Sequence, residues 1–330
     1  MALRVHRAVE RWPIRGSFTI ARGRRAVAET VVVTLRDAAG NSGRGEAVPY
    51  GRYGETPASV LAALDAVTPA LAEGAGRDAL MSLMPAGAAR AAADAALWDL
   101  EAHRTGRPVW SLASLPEPQP VATARTVSLD TPDAMAASAR ALARDGAPLV
   151  KLKLGRPTDD ADRLRAVRAA APGARLVADV NEGWQAADLA RLGPVCAEVG
   201  LELLEQPLPA GADARIAAPV PLCADESLHG HDPFDALPPG YGAVNLKLDK
   251  AGGLTRALAL ADTAAARGLD LFLGCMVATS LALAPALLLA HRARWVDLDG
   301  AWLLSRDRAP GLRYSGSVVA PAAPGLWGDG

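Results

Sequence analysis

The sequence predicts an α/β barrel preceded by an α+β segment, and two observations predict it. Between about residues 118 and 300, eight strand-like runs alternate with helix-forming Ala/Arg/Leu stretches, and each run ends in a polar or reactive residue. The runs are VATARTVSL, APLVKLKL, ARLVADVN, LELLEQP, PLCADES, GAVNLKL, LDLFLGC and RWVDLDG. One residue from each (Thr126, Lys153, Asp179, Glu205, Asp225, Lys247, Cys275 and Asp297) gives steps of 20 to 28 residues, about one βα unit each. Eight such units suit a closed (β/α)₈ barrel, where function gathers at the C-terminal ends of the strands. An open doubly wound sheet is the competing layout. It would place a glycine-rich phosphate turn after an early strand, and the sequence has none.

The opening residues 1–115 read differently. Glu29–Arg36 (ETVVVTLR) is β-branched and DAAGNSG after it carries turn chemistry, which predicts a strand and a hairpin. Residues 57–72 and 88–103 have helical spacing. Residues 116–305 are assigned to the barrel. The Gly- and Pro-containing tail, 306–330, is expected to pack back on the first domain.

Half of the 330 residues are apolar, enough for a sizeable core, and the net charge of -1 gives a nucleic-acid partner no electrostatic footprint. The apolar run Val277–Ala290 is too short to span a bilayer and contains a proline, so it predicts a buried helix packed on the sheet. The N-terminal stretch lacks a signal-peptide h-region, and Cys196, Cys223 and Cys275 have no CxxC spacing. A cytoplasmic protein with reduced thiols is expected.

Three carboxylates end three consecutive predicted strands: Asp179 in ADVNEGW, Glu205 in LLEQPLP and Asp225 in CADES. Strand ends converge on one mouth, where three acids repel unless a cation joins them; all-oxygen ligands favour a hard ion, Mg²⁺. The alternative is three unrelated helix caps or surface acids. Lys151 and Lys153 stand two apart, on one strand face, and Lys247 ends another strand with Lys250 beyond it in an expected loop. An exposed edge strand would also carry such lysines. If the strand faces inward, a neighbouring ammonium and a divalent ion lower a lysine's pKa enough for it to act as a base. Lys153 and Lys247 then flank the cation from opposite sides, which is the layout for removing an α-proton from one face of a carboxylate substrate and returning it on the other. The cation would stabilise the enediolate between the two steps.

With KLKLG, ADVNEGW, LLEQPLP, CADES, VNLKLDKAGGL, GCM, DLDG, GEAVPYGRYGET and DAALWDLEAHRTGRP in place, the chain resembles the enolase superfamily, in its muconate-lactonising subgroup, and within that the dipeptide epimerases. Lysine bases with Mg²⁺ are the chemistry associated with that superfamily. The resemblance implies a modified (β/α)₇β TIM-type barrel with an α+β capping domain. It implies Lys153 and Lys247 as paired acid/base catalysts, Asp179, Glu205 and Asp225 as ligands of one Mg²⁺, and Lys151 as their electrostatic neighbour. Thr126 and Cys275 fall among the substrate-binding positions.

Asp297 and Asp299 in DLDG can share the mouth-facing side of the last strand, where two carboxylates neutralise a free α-ammonium. Dipeptide epimerases use such a pair, and relatives acting on succinylbenzoate or N-acylamino acids need none. A solvated DxD is the alternative. Arg22, Arg24 and Arg25 lie in a loop between two expected strands, and Arg52 with Tyr53 in another. The resemblance places a specificity loop at the first, so Arg25 is expected to pair with an acidic substrate side chain, as in the L-Ala-D/L-Glu epimerases of peptidoglycan recycling. Exposed hairpin arginines are the alternative there. The residues CMVATS follow the seventh strand, where many members of the family are acidic. His229 and His231 read as loop residues. The expected partner is a small dipeptide, with no nucleic acid and no membrane, and a homo-oligomer is expected. A non-catalytic protein on a decayed barrel is the reading from another class, and the complete set of lysines and acids argues against it.

Overall fold

The computed structural model describes residues 3–230 and 232–330, so His231 lies outside the described residues. The chain opens with three antiparallel strands, β1 (Arg4–Ile20), β2 (Gly23–Arg36) and β3 (Ser42–Ala47), paired in that order. Three helices follow: α1 (Pro57–Ala72), α2 (Arg77–Leu83) and α3 (Ala88–Thr105). Thr56 caps α1, accepting from the Ser59 N–H, and Pro57 stands at its first turn, where a missing N–H costs nothing. Gly43 and Gly45 on β3 let α3 lie directly against the strand; a Cβ on Gly45 would stand 2.1 Å from the Ala92 carbonyl oxygen. That close packing holds the first sheet on α3.

A short helix α4 (Val109–Leu112) and strand β4 (Val121–Ala122) lead to eight parallel strands. These are β5 (Arg125–Val127), β6 (Leu149–Lys153), β7 (Arg175–Asp179), β8 (Leu201–Glu205), β9 (Leu222–Ala224), β10 (Ala243–Leu246), β11 (Asp270–Gly274) and β12 (Trp295–Asp297), each beside the next. The Ala124 N–H donates to the Val296 carbonyl at 2.7 Å, joining the first strand to the last. All eight strand-like runs of the sequence contain one of these strands.

Side-chain alternation builds the interior. Ala124, Leu149, Val177, Leu203, Cys223, Ala243, Phe272 and Trp295 form one apolar cluster. Two residues on along each strand, on the same face, stand Thr126, Lys151, Asp179, Glu205, Asp225, Asn245, Gly274 and Asp297. An apolar floor therefore carries a layer of charge. The intervening residues, such as Val150, Ala178, Leu204, Val244 and Val296, belong to the outer core under the helices.

The covering helices are α5 (Pro132–Arg144), α6 (Asp160–Ala170), α7 (Ala186–Glu198), the single turn α8 (Leu248–Ala251), α9 (Leu254–Ala266) and the single turn α10 (Ser280–Leu283). Among the described residues, the crossovers after β8 and β9 contain turns and no α-helix. The steps there are short, 20 and 22 residues between Glu205, Asp225 and Lys247. The run Val277–Ala290 is buried over most of its length but is not one helix: α10 gives way to a 3-10 helix over Pro285–Arg292. Pro285 has no N–H to continue the α-helical pattern. Among the described residues no helix is long and apolar enough to cross a membrane.

In the tail, β13 (Tyr314–Ser315) pairs with β14 (Val318–Val319), which pairs with β4. Farther on, the Arg44 guanidinium donates to the carbonyls of Gly325 and Leu326, and the Trp327 indole to Ala95. α3 also meets the segment after β10. Arg90 donates to the carbonyls of Ala251 and Gly252, and Asp94 accepts from the Thr255 N–H at 3.1 Å and from its hydroxyl.

Burial pushes the Asp94 carboxyl from its ordinary 3.8 up to about 6, against the opposing hydrogen bonds from Thr255. The folded state therefore holds this proton more tightly than the unfolded chain. The associated stability is full below pH 4 and is lost as pH rises through about 6. Wild-type protein should lose up to about 3 kcal/mol more than Asp94→Asn between pH 4 and pH 7 in urea denaturation. Equal losses in the two proteins would contradict this account of the seam.

Candidate active site

The charged layer sits at the C-terminal ends of the barrel strands, and pairing across it is dense. The Lys151 ammonium, 1% exposed, lies 2.8 Å from Asp297 Oδ2, 2.7 Å from Glu205 Oε2 and 3.5 Å from Asp179 Oδ2, above the Phe272 ring. Lys153 donates to Asp179 Oδ2 at 2.6 Å, and Lys247 to Asp225 Oδ2 at 2.7 Å. One carboxylate oxygen from each of Asp179, Glu205 and Asp225 falls within 4.8 Å of the others. In the ring of eight, β6 and β10 stand four strands apart, so Lys153 and Lys247 face each other with the three acids on the strands between.

Electrostatics follow from the crowding. Burial and the Asp179 charge push the Glu205 carboxyl up to about 7. Burial also opposes ionisation of Asp179, but Lys153 and Lys151 outweigh it and hold that carboxyl at about 2. Asp225 is held well below the carboxylate range against its own burial, by Lys247 and Lys250. Burial lowers the Lys247 ammonium's affinity for its proton, yet Asp225 and Glu205 raise it well above the ordinary value. Lys151 is raised in the same way, by Asp297, Glu205 and Asp179.

The remaining positions sort by geometry. Thr126 donates its N–H to Asp299 Oδ2 at 2.8 Å, tying β5 to the end of β12. Burial and Asp297 push Asp299 up to about 7. The oxygen Oδ1 of Asp297 is buried and accepts no hydrogen bond. Cys275 follows β11 and lines the same cavity of about 400 Å³ as Lys151, Lys153, Lys247, Asp297 and Asp299.

The β1–β2 hairpin bends over this cavity after a register break between Pro13 and Phe18. Phe18 lies 5.6 Å from the Lys153 ammonium, and its register partner is Arg25, so Arg25 shares the mouth-facing side. Arg24, the next residue along, lines the cavity as well. Arg24 and Arg25 belong to β2 rather than to the loop expected for them; only Arg22 is in the turn. Arg22 is also already engaged, with Asn181 O at 2.9 Å, Glu226 Oε1 at 2.6 Å, Glu182 and the Tyr50 hydroxyl. Arg52 grips Glu182 through two hydrogen bonds of 2.6 and 2.7 Å. Tyr53 stacks on His229 at 3.7 Å, so that histidine faces an aromatic ring.

Several site residues escape sequence reasoning. Lys250 is not in a loop: it sits in α8, and its ammonium reaches Asp225 Oδ1 at 2.5 Å and the Asp225 carbonyl at 2.6 Å. Asn245 donates to Glu205 Oε1 at 2.6 Å. Its place two residues before Lys247, on the same strand face, is a signal that could have found it. Asn181 donates to both Asp179 oxygens from the loop, with φ at 49°, and nothing in the strand pattern points to it.

The family described as mandelate racemase / muconate lactonizing enzyme, N-terminal domain, matches residues 2–113, and the enolase C-terminal domain-like family matches residues 134–326. This chain belongs to the enolase superfamily. It is 46% identical over 309 residues to the L-Ala-D/L-Glu epimerase of Escherichia coli, covering 93% of this chain and 96% of that one. It is 41% identical over 291 residues to an N-acetyl-D-glutamate racemase of Pseudoalteromonas, covering 87% and 91%. An enolase family member from Agrobacterium tumefaciens with homology to dipeptide epimerases, solved with bound sodium and L-Ala-L-Glu, superposes with a TM-score of 0.94. Identity there is 47%, over 99% of this chain and 100% of that one. A dipeptide epimerase from Methylococcus capsulatus, solved with Mg and L-Arg-D-Lys, gives 0.88 at 31% identity, over 99% of each chain.

Proposed function

We propose that this chain is a Mg²⁺-dependent dipeptide epimerase acting on L-Ala-D/L-Glu, a cytoplasmic enzyme of peptidoglycan recycling. The observation that carries the reading is the opposition of Lys153 and Lys247 across the ring, with three buried carboxylates between them. The similarity to the Escherichia coli epimerase and to the L-Ala-L-Glu complex supports the substrate.

The donors fit a hard divalent ion. They are all oxygen and all buried; Glu205 Oε2 accepts no hydrogen bond, though the Lys151 ammonium lies 2.7 Å away, and burial with the Asp179 charge raises the Glu205 carboxyl. When bound to Asp179, Glu205 and Asp225, Mg²⁺ offsets their charge, loosens the hold of Asp225 on the Lys247 proton, and supplies positive charge opposite a substrate carboxylate. Lys153 and Lys247 approach the α-carbon from opposite sides: one takes the proton and the other delivers one. Lys151, locked among three acids, keeps its charge and holds the carboxylate layer together.

Asp297 and Asp299 bind the substrate ammonium. Each already accepts one partner through Oδ2, from Lys151 and from the Thr126 N–H, which fixes both side chains. The unpaired Asp297 Oδ1 and the raised Asp299 carboxyl mark a place short of positive charge. An N-acylated substrate brings none and leaves that oxygen unpaired, which favours the epimerase over N-acylamino acid racemisation. Arg25, mouth-facing and without an acid partner among the described interactions, pairs with the glutamate side chain.

Four outcomes test this. Activity should vanish in EDTA and return with Mg²⁺; rigorously metal-free enzyme that stays fully active sinks the metal assignment. Lys153→Ala and Lys247→Ala should each lower epimerisation by at least about 10²- to 10⁴-fold, the usual worth of a positioned acid or base. One of them should still exchange the α-proton of a single stereoisomer with D₂O by NMR, and near-wild-type turnover in either refutes the two-base reading. Asp299→Asn should lower kcat/KM for L-Ala-L-Glu by about 10- to 150-fold, the value of a hydrogen bond to a charged group. Wild-type enzyme should also reject N-acetyl-L-Ala-L-Glu. Equal turnover of free and acetylated substrate would instead favour the racemase.

A further inference from the structure

Gln206 directly follows Glu205, has no solvent exposure, and holds a backbone φ of 34°, in the left-handed region. Two other non-glycine residues in that region, Asn181 and Glu182, lie across from it. Its backbone is pinned on both sides. The Gln206 N–H donates to the Cys223 carbonyl and its own carbonyl accepts from the Glu182 N–H, both at 2.9 Å.

The side-chain amide has only one workable orientation. Nε2 lies 2.9 Å from the Leu208 carbonyl oxygen, which has no proton to give, so the nitrogen must be there. Nε2 also faces Ser227 Oγ at 2.9 Å and the Tyr241 hydroxyl oxygen at 3.2 Å. Both hydroxyls spend their own protons on the buried Asp213 Oδ2, at 2.5 and 2.7 Å. That leaves Oε1 pointing at the strand end, where it accepts the Asp225 N–H at 2.9 Å and the Ser227 N–H at 3.0 Å.

We propose that Gln206 is a positioning residue: by holding the Asp225 backbone through Oε1, it keeps the Asp225 carboxylate in register with those of Asp179 and Glu205 for metal binding. This rests on the reading of those three carboxylates as the metal site. The Asp213–Ser227–Tyr241 cluster serves it by fixing the amide orientation. Partners that orient a metal ligand without touching the metal typically account for 10- to 100-fold in affinity.

The test is Mg²⁺ titration of the metal-free full chain by calorimetry, with Mn²⁺ binding by electron paramagnetic resonance as a second readout. Gln206→Met, which removes both amide groups, should raise the Mg²⁺ Kd about 10- to 100-fold. Tyr241→Phe spares Oε1 and should stay within about twofold of wild type, since Nε2 keeps two other partners. Melting in EDTA separates the roles: a purely structural Gln206 lowers the melting temperature and leaves Kd unchanged. Folded Gln206→Met with wild-type Kd overturns the inference. Should that variant fail to fold, Gln206→Asn, which withdraws the carbonyl by one methylene, carries the same test, and an unchanged Kd overturns the inference equally. Wild-type protein that binds neither ion would overturn the metal reading itself, a different result from wild type binding and Gln206→Met binding just as well.

Discussion

Charge balance in a dry place is the constraint on which this molecule turns. Lys151, Lys153, Lys247 and Lys250 share the barrel mouth with Asp179, Glu205, Asp225, Asp297 and Asp299, all nearly sealed from solvent. Isolated, any one of these charges would cost several kcal/mol to bury. They persist because each lysine has an acid within hydrogen-bonding distance and because the acids outnumber the lysines by one. The surplus is local. Glu205, one of the three-acid cluster, and Asp299, beside Asp297, show it: burial and a neighbouring carboxylate push each up to about 7. The mouth is thus short of positive charge at both places, and the three carboxylates about Glu205 suit a hard cation.

The two-residue period of a strand is what makes this layer possible. It places Leu149, Lys151 and Lys153 on one inward face and Val150 and Leu152 on the other. That regularity is also why so much was legible from the amino acids. Lys153, Asp179 and Glu205 close their strands, and Asp225, Lys247 and Cys275 stand one residue past theirs. The spacing of barrel units brought them to one mouth without any knowledge of three-dimensional contacts.

What the pattern could not supply comes from irregular backbone. Lys250 reaches Asp225 only because a one-turn helix folds back after β10, stopped by Gly252 in a left-handed conformation. Asn181 and Gln206 act through positive φ values that their residue types do not announce. The three hairpin arginines look alike in sequence and all line the cavity, yet Arg22 is taken up by Glu226 and Asn181, while Arg24 and Arg25 have no acid partner among the described interactions. The missing helices beside β8 and β9 were hinted at by short spacing, but spacing alone does not distinguish a tight helix from a string of turns.

The bent hairpin over the mouth is far in sequence from the charged layer it covers. Arg25 stands on a strand of the first sheet, whereas every lysine and carboxylate of the charged layer stands on or just after a barrel strand more than a hundred residues away. The hairpin and the charged layer, distant in sequence, touch at Arg22, which bonds Asn181 and Glu226, and at Phe18, beside Lys153. Substitutions at Arg24 and Arg25, which line the cavity without an acid partner among the described interactions, leave the ion pairs beneath as they are. One edge of the cavity is thus cut by a ribbon that carries none of the buried lysines or carboxylates of the layer.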